Sequence, residues 1–143
     1  MYTRILIAIE HSGADATILD HVRQLARLTG ASLLLVHVAD GWVARNYDEL
    51  KLRDSEEMRV DRDYLDHLVA GLRAEGFDAR WRLGMGDPAS EIIRIAGDER
   101  VDLVAMATHG HRGLGDLIRG TTVSRVRHEV DVPVLLLRAR SSS

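Results

Sequence analysis

The run Ser32-Leu33-Leu34-Leu35-Val36-His37-Val38 is apolar on both faces of any strand it forms. Side chains alternate across a strand, so both faces of this one need cover. Such a strand belongs inside a parallel sheet with helices above and below it. Arg4 to Ile9, Leu103 to Ala107 and Val132 to Leu137 read in the same way. Phe77, Ala79, Trp81 and Leu83 instead alternate with Asp78, Arg80 and Arg82, which predicts a half-exposed strand at an edge.

Helical patterns fill the gaps between these runs. From Ala14 to Leu28 the residues Ile18, Val22, Leu25 and Ala26 share one face, and Gly30 stands where a C-cap glycine is expected. A loop over 39–48 leads into a long helix that ends near Glu75 and is stopped by Gly76. Met58, Leu65, Leu68, Val69 and Leu72 form its stripe, with Tyr64 beside them. The charged stretch Asp48 to Asp63 reads as a solvated face. Asp87-Pro88 caps and starts a third helix whose core side is Ile92, Ile93 and Ala96. A fourth helix is expected from Thr121 to Glu129. The alternation β-α-β-α-β-α-β-α-β predicts an α/β fold, a single-domain doubly wound parallel sheet over residues 1–143 with helices on both faces.

Composition narrows the chemistry. The 143 residues contain no cysteine, which excludes disulfides, thiolate metal sites and cysteine nucleophiles. With 19 basic and 22 acidic residues the net charge is −3, so no strong field for nucleic acid or an anionic membrane arises. No apolar run approaches the roughly 20 residues of a membrane span. Met1-Tyr2-Thr3-Arg4 leads directly into a strand with no small-residue cleavage site, so a cytoplasmic location is expected.

In a doubly wound sheet, ligands bind beyond the carboxyl ends of the strands, where the strand order reverses. The candidate segments are Ile9-Glu10-His11-Ser12, Val38 to Gly41 and the glycine-rich loop Thr108 to Gly120. Glycines let backbone amides approach an anion closely. Gly120-Thr121 stands at a helix start, where free amides and the helix dipole favour phosphate. Arg112 and Arg119 add positive charge and Thr121 a hydroxyl. A tight turn without a ligand would use glycines equally well. The loop is neither a Walker A motif, lacking Gly-Lys-Ser/Thr, nor a Rossmann fingerprint, since it follows the fourth strand.

Strand one running into Glu10-His11-Ser12, the turn Gly86-Asp87-Pro88-Ala89, Asp102-Leu103-Val104-Ala105-Met106, the glycine loop and Pro133-Val134-Leu135-Leu136-Leu137 together resemble the universal stress proteins. The resemblance covers nearly the whole chain. It implies a five-stranded parallel sheet in the order 3-2-1-4-5 and, for the ATP-binding branch, glycine, two residues, glycine, nine residues, glycine, then serine or threonine. Gly110, Gly120 and Thr121 match that pattern, and Ala107 departs from it. The family's aspartate after strand one is Glu10 here, and its adenine-holding backbone maps to Val38. The resemblance thus implies ATP, or a related adenine nucleotide, held by Ala8, Ile9, Glu10, Val38, Met106, Ala107, Thr108, Gly110, Arg112, Gly113, Gly120, Thr121, Thr122 and Val123.

Other residues carry weaker signals. His109, His111 and His11 lack a close acidic or cysteine partner in the sequence and make a poor metal motif. Asp116 is a candidate for Mg²⁺ beside the phosphates, or a solvated cap. His37, inside an apolar strand, reads as a packed, hydrogen-bonded residue, and Trp81 as cover for core or an interface. Ser12, Ser32, Ser55, Ser90 and Ser124 lack the context of a nucleophile elbow, so at most slow ATP hydrolysis is expected.

The reading is an ATP-binding regulatory or protective module of the stress response. The alternatives are a dimeric interaction protein of the same fold without nucleotide and a slow phosphoanhydride hydrolase. In the order 3-2-1-4-5 the last strand is an edge with apolar residues on both faces. Only Ala139 to Ser143 follow it in this sequence, so a homodimer paired through Val132 to Arg138 is expected.

Overall fold

Each β1 residue faces the opposite layer from its neighbour, and this alternation builds two cores from one sheet. The structure, a computed structural model, describes residues 1–40, 47–108 and 120–139. The elements run β1 (Arg4–Ala8), α1 (Ala14–Thr29), β2 (Ser32–Asp40), α2 (Tyr47–Ala74), β3 (Ala79–Gly86), α3 (Pro88–Asp98), β4 (Leu103–Thr108), α4 (Gly120–Glu129) and β5 (Val134–Arg138). Ile5, Ile7, Leu33 and Leu35 pack with Ile18 and Val22 of α1 and Leu65, Val69 and Leu72 of α2. Leu6, Ala8, Leu34, Val36 and Val38 pack on the other side with Ile92 and Ile95 of α3 and Val126 of α4. The double-sided apolar run of β2 is thereby covered on both faces.

The five strands are all parallel, in the order β3-β2-β1-β4-β5. β1 is central, with Ile5 beside Leu33 on one side and Leu103 on the other. β3 is an edge strand, as its alternation predicts. Trp81 packs against the first core and donates its Nε1–H to Asp66 at 2.7 Å.

The helix ends follow their local chemistry. Gly30 adopts φ 75°, the left-handed region that glycine enters at low cost, and its N–H reaches the Ala26 carbonyl at 2.7 Å. Asp87 caps α3, accepting from the Ser90 N–H at 3.0 Å, with Pro88 in the first turn.

Several boundaries and one core position differ from expectation, β1 ending at Ala8 and β3 running from Ala79 to Gly86. β2 continues to Asp40 because Ala39 and Asp40 find partners in Met85 and Gly86. β4 reaches Thr108, opposite Arg138. β5 starts at Val134 rather than Val132, since Pro133 has no N–H and offers only its carbonyl, to Val104. On α3 the fully buried isoleucine besides Ile92 is Ile95, while Ile93 is only partly buried.

Candidate functional site

Strand order reverses at β1, whose neighbours β2 and β4 are reached by crossovers on opposite faces. The crevice at the carboxyl ends of β1, β2 and β4 is bordered by the turn after β1 and the start of α4.

One buried carboxylate organises the first turn. Asp15, 2% exposed, accepts from the N–H groups of Glu10 at 2.8 Å, His11 at 2.9 Å and Ser12 at 3.2 Å. The Tyr64 hydroxyl of α2 donates to the same group at 2.6 Å. Burial, followed by that hydrogen bond, raises the Tyr64 pKa, so the phenol keeps its proton. Within this turn His11 has φ 66°, a left-handed conformation unusual for a residue with a Cβ. The converging bonds to Asp15 hold it there. Glu10 is 6% exposed.

A second cluster lies beneath the turn. His37 Nδ1 is 2.7 Å from the Ile9 carbonyl, and its Nε2 is 3.5 Å from one Asp61 oxygen. The other Asp61 oxygen is 2.9 Å from His11 Nδ1. The His11 ring stacks on Tyr64, with centroids 3.9 Å apart. Burial disfavours a charged His37, but Asp61 and the Ile9 carbonyl outweigh it and raise its pKa. Burial pushes Asp61 up, yet the two histidines hold its carboxyl below the usual range. His37 is thus packed and hydrogen-bonded as expected. The solvated reading of Asp48 to Asp63 is corrected at Asp61, which turns inward because two imidazoles face it.

The start of α4 is built differently. Gly120 and Thr121 are exposed, Thr122 is buried and Val123 packs against the second core. Among the described residues, no acid lies in the first turn of α4. Among the described residues, a Cβ at Gly120 would meet nothing within 4 Å. Arg125 fixes the helix laterally, reaching Asp87 at 2.7 Å, the Ser90 hydroxyl at 3.3 Å and Glu129 at 3.0 Å. The bonds from Ser90, then the guanidinium, lower the Asp87 pKa.

Of the expected nucleotide contacts, Ala8, Ile9, Val38, Met106 and Ala107 are buried. At Ile9 the N–H donates to Val36 and the carbonyl accepts from His37, so its polar groups serve the fold. The Thr108 carbonyl accepts from Ala139. Gly110, Arg112 and Gly113, with His109, His111 and Asp116, lie outside the described residues. Among the described residues, no group of three potential metal ligands assembles. The residues missed by sequence reasoning are Asp15, Tyr64 and Asp61. Asp15 had a signal: it follows Ser12 by three positions, close to the capping-box spacing in which an acid reaches back to free N–H groups.

A model of the universal stress protein family matches residues 1–138. The universal stress protein MJ0577 of Methanocaldococcus jannaschii is 26% identical over 99% of this chain and 98% of that one. A solved structure of MJ0577 superposes with a TM-score of 0.81, covering 99% of each chain. A universal stress protein of Thermus aquaticus is 31% identical, over 96% of this chain and the whole of the relative. The universal stress protein from Archaeoglobus fulgidus, solved in complex with dAMP, shares the fold with a TM-score of 0.69 at 21% identity, covering 94% of this chain and 97% of that one. With sheet order and family match in agreement, the chain belongs to the universal stress protein family.

Proposed function

We propose that the protein binds an adenine nucleotide, ATP in the first instance, at the carboxyl ends of β1, β2 and β4, as a cytoplasmic regulatory or protective module of the stress response. The observation that carries this reading is the exposed N-terminus of α4 at Gly120 and Thr121, whose first turn holds no acid among the described residues, after a strand next to the point where strand order reverses. Helix amides and the dipole there favour phosphate. The sequence spacing of Gly110, Gly120 and Thr121 supports the same placement. On this reading Glu10, on the β1 side, faces the adenosine rather than the phosphates, where a carboxylate would repel. The dAMP complex of the Archaeoglobus fulgidus relative lends support at the level of ligand class. Residues 108–123 would supply amides and hydroxyls, and Mg²⁺ would accompany a triphosphate. Purified protein should release adenine nucleotide on heating, detected by absorbance and chromatography. Release of none, with no uptake of added ATP by calorimetry, would favour the interaction protein without nucleotide.

The same protein is proposed to be a homodimer through β5. Val134, Leu135, Leu136 and Leu137 are apolar yet only half-buried, and β5 pairs with β4 alone among the described strands. Antiparallel pairing with a second copy would cover the free edge in an isologous contact. Light scattering should give twice the chain mass, and Leu136→Asp should give a monomer or an insoluble protein. A single-chain mass for the unaltered protein well above micromolar concentration would end this reading.

A further inference from the structure

The His11–Asp61–His37 cluster has a proton count that hydrogen-bond chemistry restricts. The Ile9 carbonyl accepts only, so the His37 Nδ1 2.7 Å away carries a hydrogen. In a neutral ring the other nitrogen, Nε2, is then a bare acceptor. It faces an Asp61 oxygen at 3.5 Å, and a carboxylate is also acceptor-only. Two lone pairs oppose each other unless a proton sits between them. The second Asp61 oxygen is already engaged by His11 Nδ1 at 2.9 Å. Among the described residues, the ionisable groups shown to act on or lie beside His37 are Asp61 from α2, Asp15 from α1 and His11 from the turn, with Tyr64 of α2 stacked on His11 and bonded to Asp15; its register partner on β3 is Leu83. Tyr64 holds its proton, and among these described neighbours the acids outnumber the bases. The site therefore favours the imidazolium.

Asp61 is on α2, whereas His11 and the Ile9 carbonyl belong to the segment that borders the crevice. Through His11, Asp61 reaches the residue in the left-handed turn, and through His37 it reaches the last carbonyl before Glu10. We propose that Asp61 is a positioning residue and that, with His11 and His37, it forms a proton-dependent latch tying α2 to the β1 turn, so that the geometry of Glu10 toward a bound nucleotide depends on pH. The link to nucleotide rests on the proposed function above; the latch itself does not.

The sign follows from the raised His37 pKa. Stabilisation from a histidine whose pKa is raised on folding is fully present below its unfolded value and is lost as pH rises through the folded value. The latch is thus closed in mild acid and slack in mild alkali.

Three measurements on the full chain test it across roughly pH 5.5 to 8.5, the range where histidine changes charge. First, the His37 ring resonance is titrated by NMR. Its midpoint should lie above the ordinary value of about 6.5, and Asp61→Asn should lower it, because burial is then opposed only by the Ile9 carbonyl and Asp15. A wild-type midpoint at or below the ordinary value overturns the proposal without any variant. Second, urea unfolding should show stability declining with pH through that midpoint, with the decline missing in His37→Gln, which retains a donor for the Ile9 carbonyl. An equal decline in the variant overturns the latch. Third, ATP affinity by calorimetry should fall about threefold or more from the acid to the alkaline end relative to Asp61→Asn. Parallel profiles of measurable binding overturn the coupling to the site. Binding absent at every pH counts against the nucleotide reading, and the first two measurements then decide the latch.

Discussion

The turn after β1 and the described start of α4 follow neighbouring parallel strands, and they differ in the acids they hold. After β1 the negative group is part of the chain: Asp15, 2% exposed, takes three backbone N–H groups and a phenol. At the start of α4 the first turn has no acid among the described residues, and a Cβ at Gly120 would meet none of them within 4 Å. A strand-to-helix turn needs something electronegative at its amides. Where the chain supplies that group the turn becomes scaffold. Where it does not, the turn is suited to an anion from outside.

The largest effect is expected from breaking the closed turn. Asp15→Ala leaves three N–H groups and the Tyr64 hydroxyl without their acceptor in a buried place, and should cost about 3 kcal/mol or more in urea unfolding. A loss under about 1 kcal/mol would mean that water replaces the carboxylate. Next comes conversion of the open turn into a closed one. Thr121→Asp places an acid on the dipole, so stability should rise by about 0.5 kcal/mol while ATP affinity falls about thirtyfold, roughly 2 kcal/mol. Opposite signs in unfolding and calorimetry are the signature; equal signs would dissolve the contrast between the turns. Gly120→Val keeps the turn uncharged but fills the approach to its amides. Since a Cβ there meets nothing within 4 Å among the described residues, the fold should survive, and ATP affinity should drop at least tenfold, about 1.4 kcal/mol. Unchanged affinity in a folded variant would remove this helix end from the phosphate site. The smallest change is expected from Glu10→Gln: about a threefold loss for ATP, with a shift in preference between ATP and GTP. Unaltered discrimination would show that Glu10 does not read adenine.

Much of the fold was legible because it depends on patterns that act locally. The double-sided apolar run of β2 required cover on both faces, and the alternation of β3 required an edge. Gly30, Asp87 and Pro88 marked helix ends through backbone chemistry that operates within one turn. Ile95 was harder to place, because Ile92, Ile93, Ile95 and Ala96 crowd one short helix and only the angle at which it lies on the sheet ranks them. The helix start at Gly120 and Thr121 was legible in the sequence, whereas Gly110, Arg112 and Gly113, on which its proposed role in holding phosphate also rests, lie outside the described residues. The hidden part of the site was Asp61. It lies in a run of alternating charges where each residue reads as solvated, and nothing within that helix distinguishes it.

By itself, the sequence determined a doubly wound sheet, its two core faces and the start of the last helix, since periodicity, capping and glycine act over a few residues. Tertiary structure decided which carboxylates are structural. Asp15 could be suspected from Ser12, three residues before it. Asp61 could not, because its partners are 50 and 24 positions away, at His11 and His37, and come together only when α2 packs on the sheet. A charge acquires its role from what faces it, and that depends on how the elements pack.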